Sequence, residues 1–227
     1  MAAHDVRNPL AGLELQLGLL ERTASKGQPS PATLLEHVAT CHRFVARASS
    51  LLGSLLDAAQ IGAGKLKLQL ERVDLAQVAQ EVAARSRGEL EAARCDLTLD
   101  LGLPVESQWD RSRLDQVVTN LLSNALKYGR GKPVEIAVRQ KEGSGVLTVR
   151  DHGIGISPGD QKRIFHQFER VATDGIGAGL GLWIVRQIAS ALGGQIDVQS
   201  EVGKGSTFAL RLPLRGPAAG ETASPPP

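Results

Sequence analysis

Two amides, an ammonium group and a phenol share one helical face of the stretch WDRSRLDQVVTNLLSNALKYG, residues 109–129. Asn120, Asn124, Lys127 and Tyr128 are spaced by 4, 3 and 1 positions, and helical residues three or four apart sit one above the other. Such a strip can offer an oxygen to a hard metal ion, a cation to a phosphate and an aromatic face to a planar group. A solvated helix face would show the same polarity, so the strip alone leaves both readings open. Further on, Asp151-His152-Gly153-Ile154-Gly155 sets a carboxylate at the end of an apolar stretch and follows it with two glycines. That suits a backbone that must approach a ligand closely, and it suits an ordinary turn equally.

Gly175, Gly177, Gly179 and Gly181 alternate directly before an apolar helix. A loop of this kind can wrap phosphates with backbone N–H groups, and the helix N-terminus adds a favourable potential. A flexible linker is the alternative, weakened by the loop's position between two helices. No strand runs into the loop and no Gly-Lys-Ser/Thr follows it, which excludes the dinucleotide-binding and Walker A readings. Gly203-Lys204-Gly205-Ser206-Thr207-Phe208 reads as a turn with a supporting role. Phe165 and Phe168 are explained by core packing, and Arg170 after them could reach an anion. At the other end of the chain His4 and Asp5 stand side by side, with Asn8 one helical turn later and Pro9 next to it.

The elements that must position these groups follow from periodicity and caps. Residues 1–24 read as a helix with Leu10, Leu13, Leu17 and Leu20 at a 3-4-3 spacing. Pro9 removes the hydrogen-bond partner of the Asp5 carbonyl, so a bend is expected there. His4 falls beside the apolar seam. After the loop SKGQPSP, Ser30 caps a second helix whose seam is Leu34, Val38, Cys41, Val45, Ala48, Leu52, Leu55 and Ala59. A hairpin of two such helices leaves its inner face wet, so two chains are expected to pair into a four-helix bundle. His37 and His42 fall off the seam and are expected in solvent.

Gly62 and Gly64 break the second helix. Strands are expected at 65–70 and 95–101, and a helix at 75–93 opened by Asp74 with Gln77 as a capping box. Asp110 caps the central helix and Gly129 ends it, with Leu114, Val117, Val118, Leu121, Leu122 and Ala125 buried. Strands at 134–140 and 145–151, helix signals at 159–168 and 180–192, and strands at 195–200 and 206–213 complete the pattern. Residues 215–227, rich in Pro, Gly and Ala, are expected to be disordered.

The 227 residues are 42% hydrophobic but only 3% aromatic, so the core must be built from Leu, Val, Ile and Ala. A net charge of +2 and the lack of a Lys/Arg tract with interleaved aromatics give no sign of a nucleic-acid partner. Cys41 and Cys95 are isolated and read as reduced core cysteines of a cytoplasmic protein. No apolar run reaches membrane-span length.

In their order, Asn120 with Asn124, DHGIG, the Phe pair, GAGLGL and GKGSTF resemble the ATP-binding domain of sensor histidine kinases, within the GHKL superfamily. HDVRNPL ahead of a helical hairpin is similar to the phosphoacceptor box of the same family. The resemblance spans about residues 3–214. It implies an α+β chain: a dimerisation and phosphotransfer hairpin over 1–61, a Bergerat-type α/β sandwich with a mixed sheet over 62–214, and a tail. It implies ATP and Mg²⁺ as ligands, with Asn124 on the metal and Asn120 beside it, Lys127 at phosphate and Tyr128 over the adenine. Asp151 would accept from the adenine amino group, with Gly153 and Gly155 making room. A lid at about 169–178 would bring Arg170 to the γ-phosphate, with Gly177, Gly179, Leu180 and Gly181 at the phosphates. His4 would be the nucleophile, Asp5 its proton acceptor, and Asn8 the residue that orients water for dephosphorylating a response regulator. That regulator would be a separate chain, and a sensor module or partner protein would act upstream of His4, which only three residues precede. The alternative is a dimeric ATP-binding interaction module without autokinase activity. An anti-sigma type serine kinase is disfavoured by the His-containing hairpin, and a gyrase-like or mismatch-repair ATPase by the chain length.

Overall fold

The computed structural model describes residues 2–25, 27, 29–63, 65–169 and 179–215, with side chains from residue 7 onward. They form two compact units, one helical up to Ala59 and one α/β from Gln60.

The helical unit is a hairpin of α1 (Ala2–Ser25) and α2 (Pro31–Gly62). Helix α1 continues through Pro9. Ser30 caps α2 by accepting the Thr33 N–H at 3.2 Å. The two helices come close at Gly12, where a Cβ would lie 2.5 Å from the Phe44 ring. His37 is not in open solvent as expected: it is half-buried and hydrogen-bonded to Gln16 across the hairpin. The seam residues Leu10, Leu17, Leu34, Val38, Val45 and Leu52 remain 37–50% exposed in the single chain.

In the α/β unit a five-stranded sheet runs in the order β2 (Leu97–Asp100), β4 (Val134–Lys141), β5 (Ser144–Asp151), β7 (Gly205–Pro213), β6 (Gln195–Glu201). The β2–β4 pair is parallel and the others antiparallel, so the sheet is mixed. Helices α3 (Leu75–Arg85), α5 (Arg111–Tyr128) and α7 (Gly181–Ala191) cover it, with α5 packed between the other two. The period-2 alternation of β5 sends Leu147 and Val149 to this helix-covered side, where both are fully buried. Asp151 is next in the same alternation.

Several expected elements differ. Lys65–Leu70 alternates but finds no partner strand; the Gln69 N–H goes instead to the Asp110 carboxylate at 2.8 Å. The strand follows directly after this stretch, as β1 (Glu71–Asp74), and pairs with β3 (Glu106–Trp109), a strand the alternation did not announce. The helix expected over 75–93 is two, α3 and α4 (Arg87–Ala93), separated at Ser86, whose hydroxyl bonds back to the Val82 carbonyl at 2.9 Å. Asp74 caps α3, but Gln77 bonds Glu81 rather than closing a box. Instead of a helix over 159–168 there is a single turn, α6 (Pro158–Gln161), and a 3-10 turn at Arg163–Phe165.

Candidate functional site

Helix α5 is fixed at both ends. Asp110 Oδ1 accepts the Arg113 N–H at 3.0 Å, and the Gly129 N–H closes the last turn on the Ala125 carbonyl at 2.8 Å. Leu114, Val117, Val118, Leu121, Leu122 and Ala125 are 0–3% exposed. That burial sets the rotation of the helix and leaves the polar strip turned away from the core. Asn120, Asn124 and Tyr128 are half-buried on it and Lys127 is exposed. The Lys127 ammonium donates to the Tyr128 hydroxyl at 2.9 Å and lies 4.5 Å from the ring centroid.

The C-terminal end of α5 meets the end of β5. Asp151 is 5% exposed. Its carboxylate accepts the Gly153 N–H at 2.8 Å and the backbone N–H of Ser206. Burial pushes the Asp151 carboxyl above its usual range; the two N–H donors and neighbouring His152 oppose the shift. A group of this kind is a hydrogen-bond acceptor kept out of bulk water. Gly153 has no room for a side chain, since a Cβ would fall 2.1 Å from the Tyr128 carbonyl oxygen. Gly155 has φ +68° and would put a Cβ 2.0 Å from the Glu201 carbonyl oxygen. Both glycines are therefore required by close backbone approach. Cys95 is buried, as a core cysteine should be, and its thiol donates to the Gly129 carbonyl at 3.5 Å.

The other end of the strip meets the start of α7. A Cβ on Gly181, the first residue of α7, would lie 3.6 Å from Asn120 Oδ1. Gly179 has φ +69°, and its carbonyl accepts the Phe168 N–H at 3.1 Å. Leu180 is 1% exposed, so its side chain anchors α7 in the core and only its backbone can serve a ligand. Asn120, Asn124, Lys127, Tyr128, Asp151, Gly153, Gly179 and Gly181 thus line the last turns of α5 and the elements at its two ends. Gly155 stands just beyond. Arg170, Gly177 and all of the expected lid but Glu169 lie outside the described residues. His4 and Asp5 are in the first turns of α1, and Asn8, in the next turn, is exposed.

Two contributors escaped the sequence reading. Ser206 was part of a supporting turn there, yet its backbone holds the Asp151 carboxylate. Glu135, on β4, receives the ring of His152 at 2.8 Å. Strand register sets Ser206 opposite Asp151 and Glu135 opposite Arg150, within reach of His152. The open cavity of about 420 Å³ beside α4, reaching Leu90, Arg94 and Cys95, involves none of the expected residues.

No three His, Cys, Asp or Glu side chains converge on a metal site among the described residues. An ion at this strip would have amide oxygen from the protein and would take its remaining ligands from water and from a bound anion. That donor set fits Mg²⁺, which prefers oxygen and retains waters.

Comparison with known proteins finds two family models. Residues 1–64 match the His Kinase A (phospho-acceptor) domain, and residues 109–216 match the histidine kinase-, DNA gyrase B-, and HSP90-like ATPase. The alginate biosynthesis sensor protein KinB of Pseudomonas aeruginosa is 33% identical over 217 residues, 94% of this chain and 36% of KinB. The chain thus spans about a third of the length of the curated relatives it matches. Among solved structures, the histidine kinase AdeS of Acinetobacter baumannii superposes with a TM-score of 0.70 at 25% identity, covering 93% of this chain and 98% of that one. Full-length ShkA, solved in complex with AMPPNP, superposes with a TM-score of 0.69 at 28% identity, over 95% of this chain and 45% of that one.

Proposed function

The chain belongs to the sensor histidine kinases of two-component systems, and from that premise we propose that it phosphorylates itself on His4 from Mg²⁺-ATP and passes the phosphoryl group to an aspartate of a separate response regulator. The observation that carries this reading is the buried Asp151 carboxylate at the end of the α5 strip, held by N–H groups of Gly153 and Ser206. It supplies an acceptor for the adenine amino group. From there the strip runs past Tyr128 and Lys127 to Asn124 and Asn120 at the start of α7, over about 12 Å at the rise of an α-helix. Base, triphosphate and helix N-terminus then fall in sequence along one face.

In this reading Tyr128 covers the base and Lys127 meets phosphate. The backbone N–H groups around Gly179, Leu180 and Gly181 receive phosphate oxygens, aided by the α7 N-terminus. Asn124 would hold Mg²⁺ through its amide oxygen, and the ion would supply neutralisation of the charge that shifts during transfer. A neutral His4 nitrogen attacks the γ-phosphorus, the bond to the β-phosphate oxygen breaks, and ADP leaves. Asp5 takes or orients the ring proton. Asn8, one turn on, orients water when the regulator is dephosphorylated. We also take residues 1–61 as the dimerising phosphotransfer hairpin, 62–214 as the ATP-binding domain and 215–227 as a tail. The apolar seam left open in one chain supports a homodimer. The reaction draws on ATP and so belongs to the cytoplasm, with a sensor module or partner protein acting upstream of His4.

The test is incubation with γ-labelled ATP and Mg²⁺ of wild type and His4→Gln. The expected result is an acid-labile label that His4→Gln abolishes. Nucleotide binding without any label would overturn the kinase reading in favour of an ATP-binding interaction module.

A further inference from the structure

Asp151 and His152 are adjacent in sequence, but their side chains part. The Asp151 carboxylate is 5% exposed. The His152 ring runs back to β4, where Nε2 lies 2.8 Å from Glu135 Oε1. In the β4–β5 register Asp151 stands opposite Val134 and Arg150 opposite Glu135, so this side-chain pair extends the ladder past its last backbone rung. On its other flank the His152 α-carbon abuts β7: a Cβ on Gly205 would come within 2.7 Å of it and 2.1 Å of the Asp151 carbonyl oxygen. His152 is therefore held between the backbone of β7 and the carboxylate of Glu135. Gly153, which follows at once, gives its N–H to Asp151.

We propose that His152 and Glu135 are positioning residues of the nucleotide site: the pair fixes the turn that aims the Asp151 carboxylate at the base. This rests on the reading of Asp151 as the acceptor for the base. An imidazolium next to the buried carboxylate favours its ionised form, the stronger acceptor, against the burial that opposes it. The other charges on the surrounding elements are Arg150 on β5, Arg130 and Lys132 between α5 and β4, and Glu201 and Lys204 before β7. The last two pair with each other at 2.7 Å.

The experiment is calorimetric titration of the full chain with Mg²⁺-ATP and with Mg²⁺-GTP, on wild type, His152→Asn and Glu135→Gln. Each variant should bind ATP about 2- to 5-fold more weakly than wild type, the factor a part-exposed pair carries, with GTP binding unchanged, because Asp151 is aimed at the amino group of adenine. The double variant should be no weaker than His152→Asn, because either change removes the same pair. A loss shared equally by ATP and GTP, or variants that bind ATP like wild type, would overturn the proposal. Asp151→Asn separates the two levels: if it binds ATP as well as wild type, the assignment of the base site fails, whatever the pair does.

Discussion

Gly153 lies against the carbonyl of Tyr128 so closely that a single methyl group on its α-carbon would come within 2.1 Å of that oxygen. The adjoining Ile154 N–H reaches the same oxygen at 3.3 Å. The last residue of α5 and the turn after β5 are thus one packed joint, which is the base side of the site in the proposed function. Gly153→Ala must push the two apart. The expected cost is about 1–3 kcal/mol of stability, the usual result of overpacking, together with a loss of ATP affinity of at least roughly tenfold. Gly159→Ala, where only the Ser157 hydroxyl comes near, at 3.9 Å, should leave both unchanged. Urea denaturation and nucleotide titration of the two variants check this.

The raised Asp151 carboxyl links the fold to pH. Its folded value stands above the unfolded one, so the folded state holds the proton more tightly. The stabilisation from this group is complete below the unfolded value. It is lost as pH rises through the window between the two values and stays lost above the folded one. Ligand-free wild type should therefore lose stability with rising pH across that window, and Asp151→Asn should not show that slope. ATP binding by Asp151→Asn should fall sharply under the proposal that this carboxylate accepts from the base. Chemical denaturation between about pH 3 and 7, compared for the two proteins, reads the first effect and calorimetry the second. A steeper slope in the variant would contradict the burial of this group.

Asp110 joins two segments through one side chain that is 4% exposed. One oxygen caps α5 at Arg113 and the other takes the Gln69 N–H of the segment leading into β1. Asp110→Ala removes a cap and strands a backbone donor, for an expected loss of about 2–3 kcal/mol. Asp110→Asn retains one acceptor and should lose about half of that. Because the cap sets the start of the helix that carries Asn120 and Asn124, ATP affinity should drop in parallel in the alanine variant. Thermal melting with and without nucleotide tests both statements.

How much of this could be read before the structure depended on whether the signal was local. The caps and apolar face of α5 are written in consecutive residues, and the helix forms as they indicate, from Arg111 to Tyr128. The seam of the hairpin is a local pattern too, whereas the mixed sheet was implied by the family resemblance. The strand β3 was illegible because Glu-Ser-Gln-Trp is short and polar, and it exists only because β1 pairs with it. The alternation at Lys65–Leu70 misled for the converse reason, since its backbone was claimed by Asp110 rather than by a strand. The turn at Ser157–Pro158 has a genuine cap, yet the helix stops after one turn and Phe168 takes φ +63°. In the site, Asn120, Asn124, Asp151 and the glycines were visible by residue type and spacing. Ser206 and Glu135 were not, because strand register alone carries Ser206 to Asp151 and Glu135 to within reach of His152.

Asn124 gives the sharpest separation of nucleotide binding from metal binding. It sits half-buried on α5 one turn after Asn120 and one turn before Tyr128, so the helix, not a loop, sets its position. Alanine is the better helix former there, and Asn124→Ala should fold with unchanged or slightly higher stability. If its amide oxygen is the protein's ligand to Mg²⁺, ATP affinity measured in EDTA should be the same for wild type and variant within about twofold. The gain in affinity that Mg²⁺ brings to wild type should then be lost. Autophosphorylation should fall by roughly 100-fold or more, the scale lost with one electrostatic contact to a developing charge. Asn124→Asp discriminates further, because a carboxylate keeps an oxygen for the metal but faces the phosphates with a negative charge. It should bind ATP worse than the alanine variant in EDTA and recover part of the difference as Mg²⁺ is added. Equal affinity for both variants at every Mg²⁺ concentration would mean that Asn124 is a solvated helix residue and that the ion is held elsewhere.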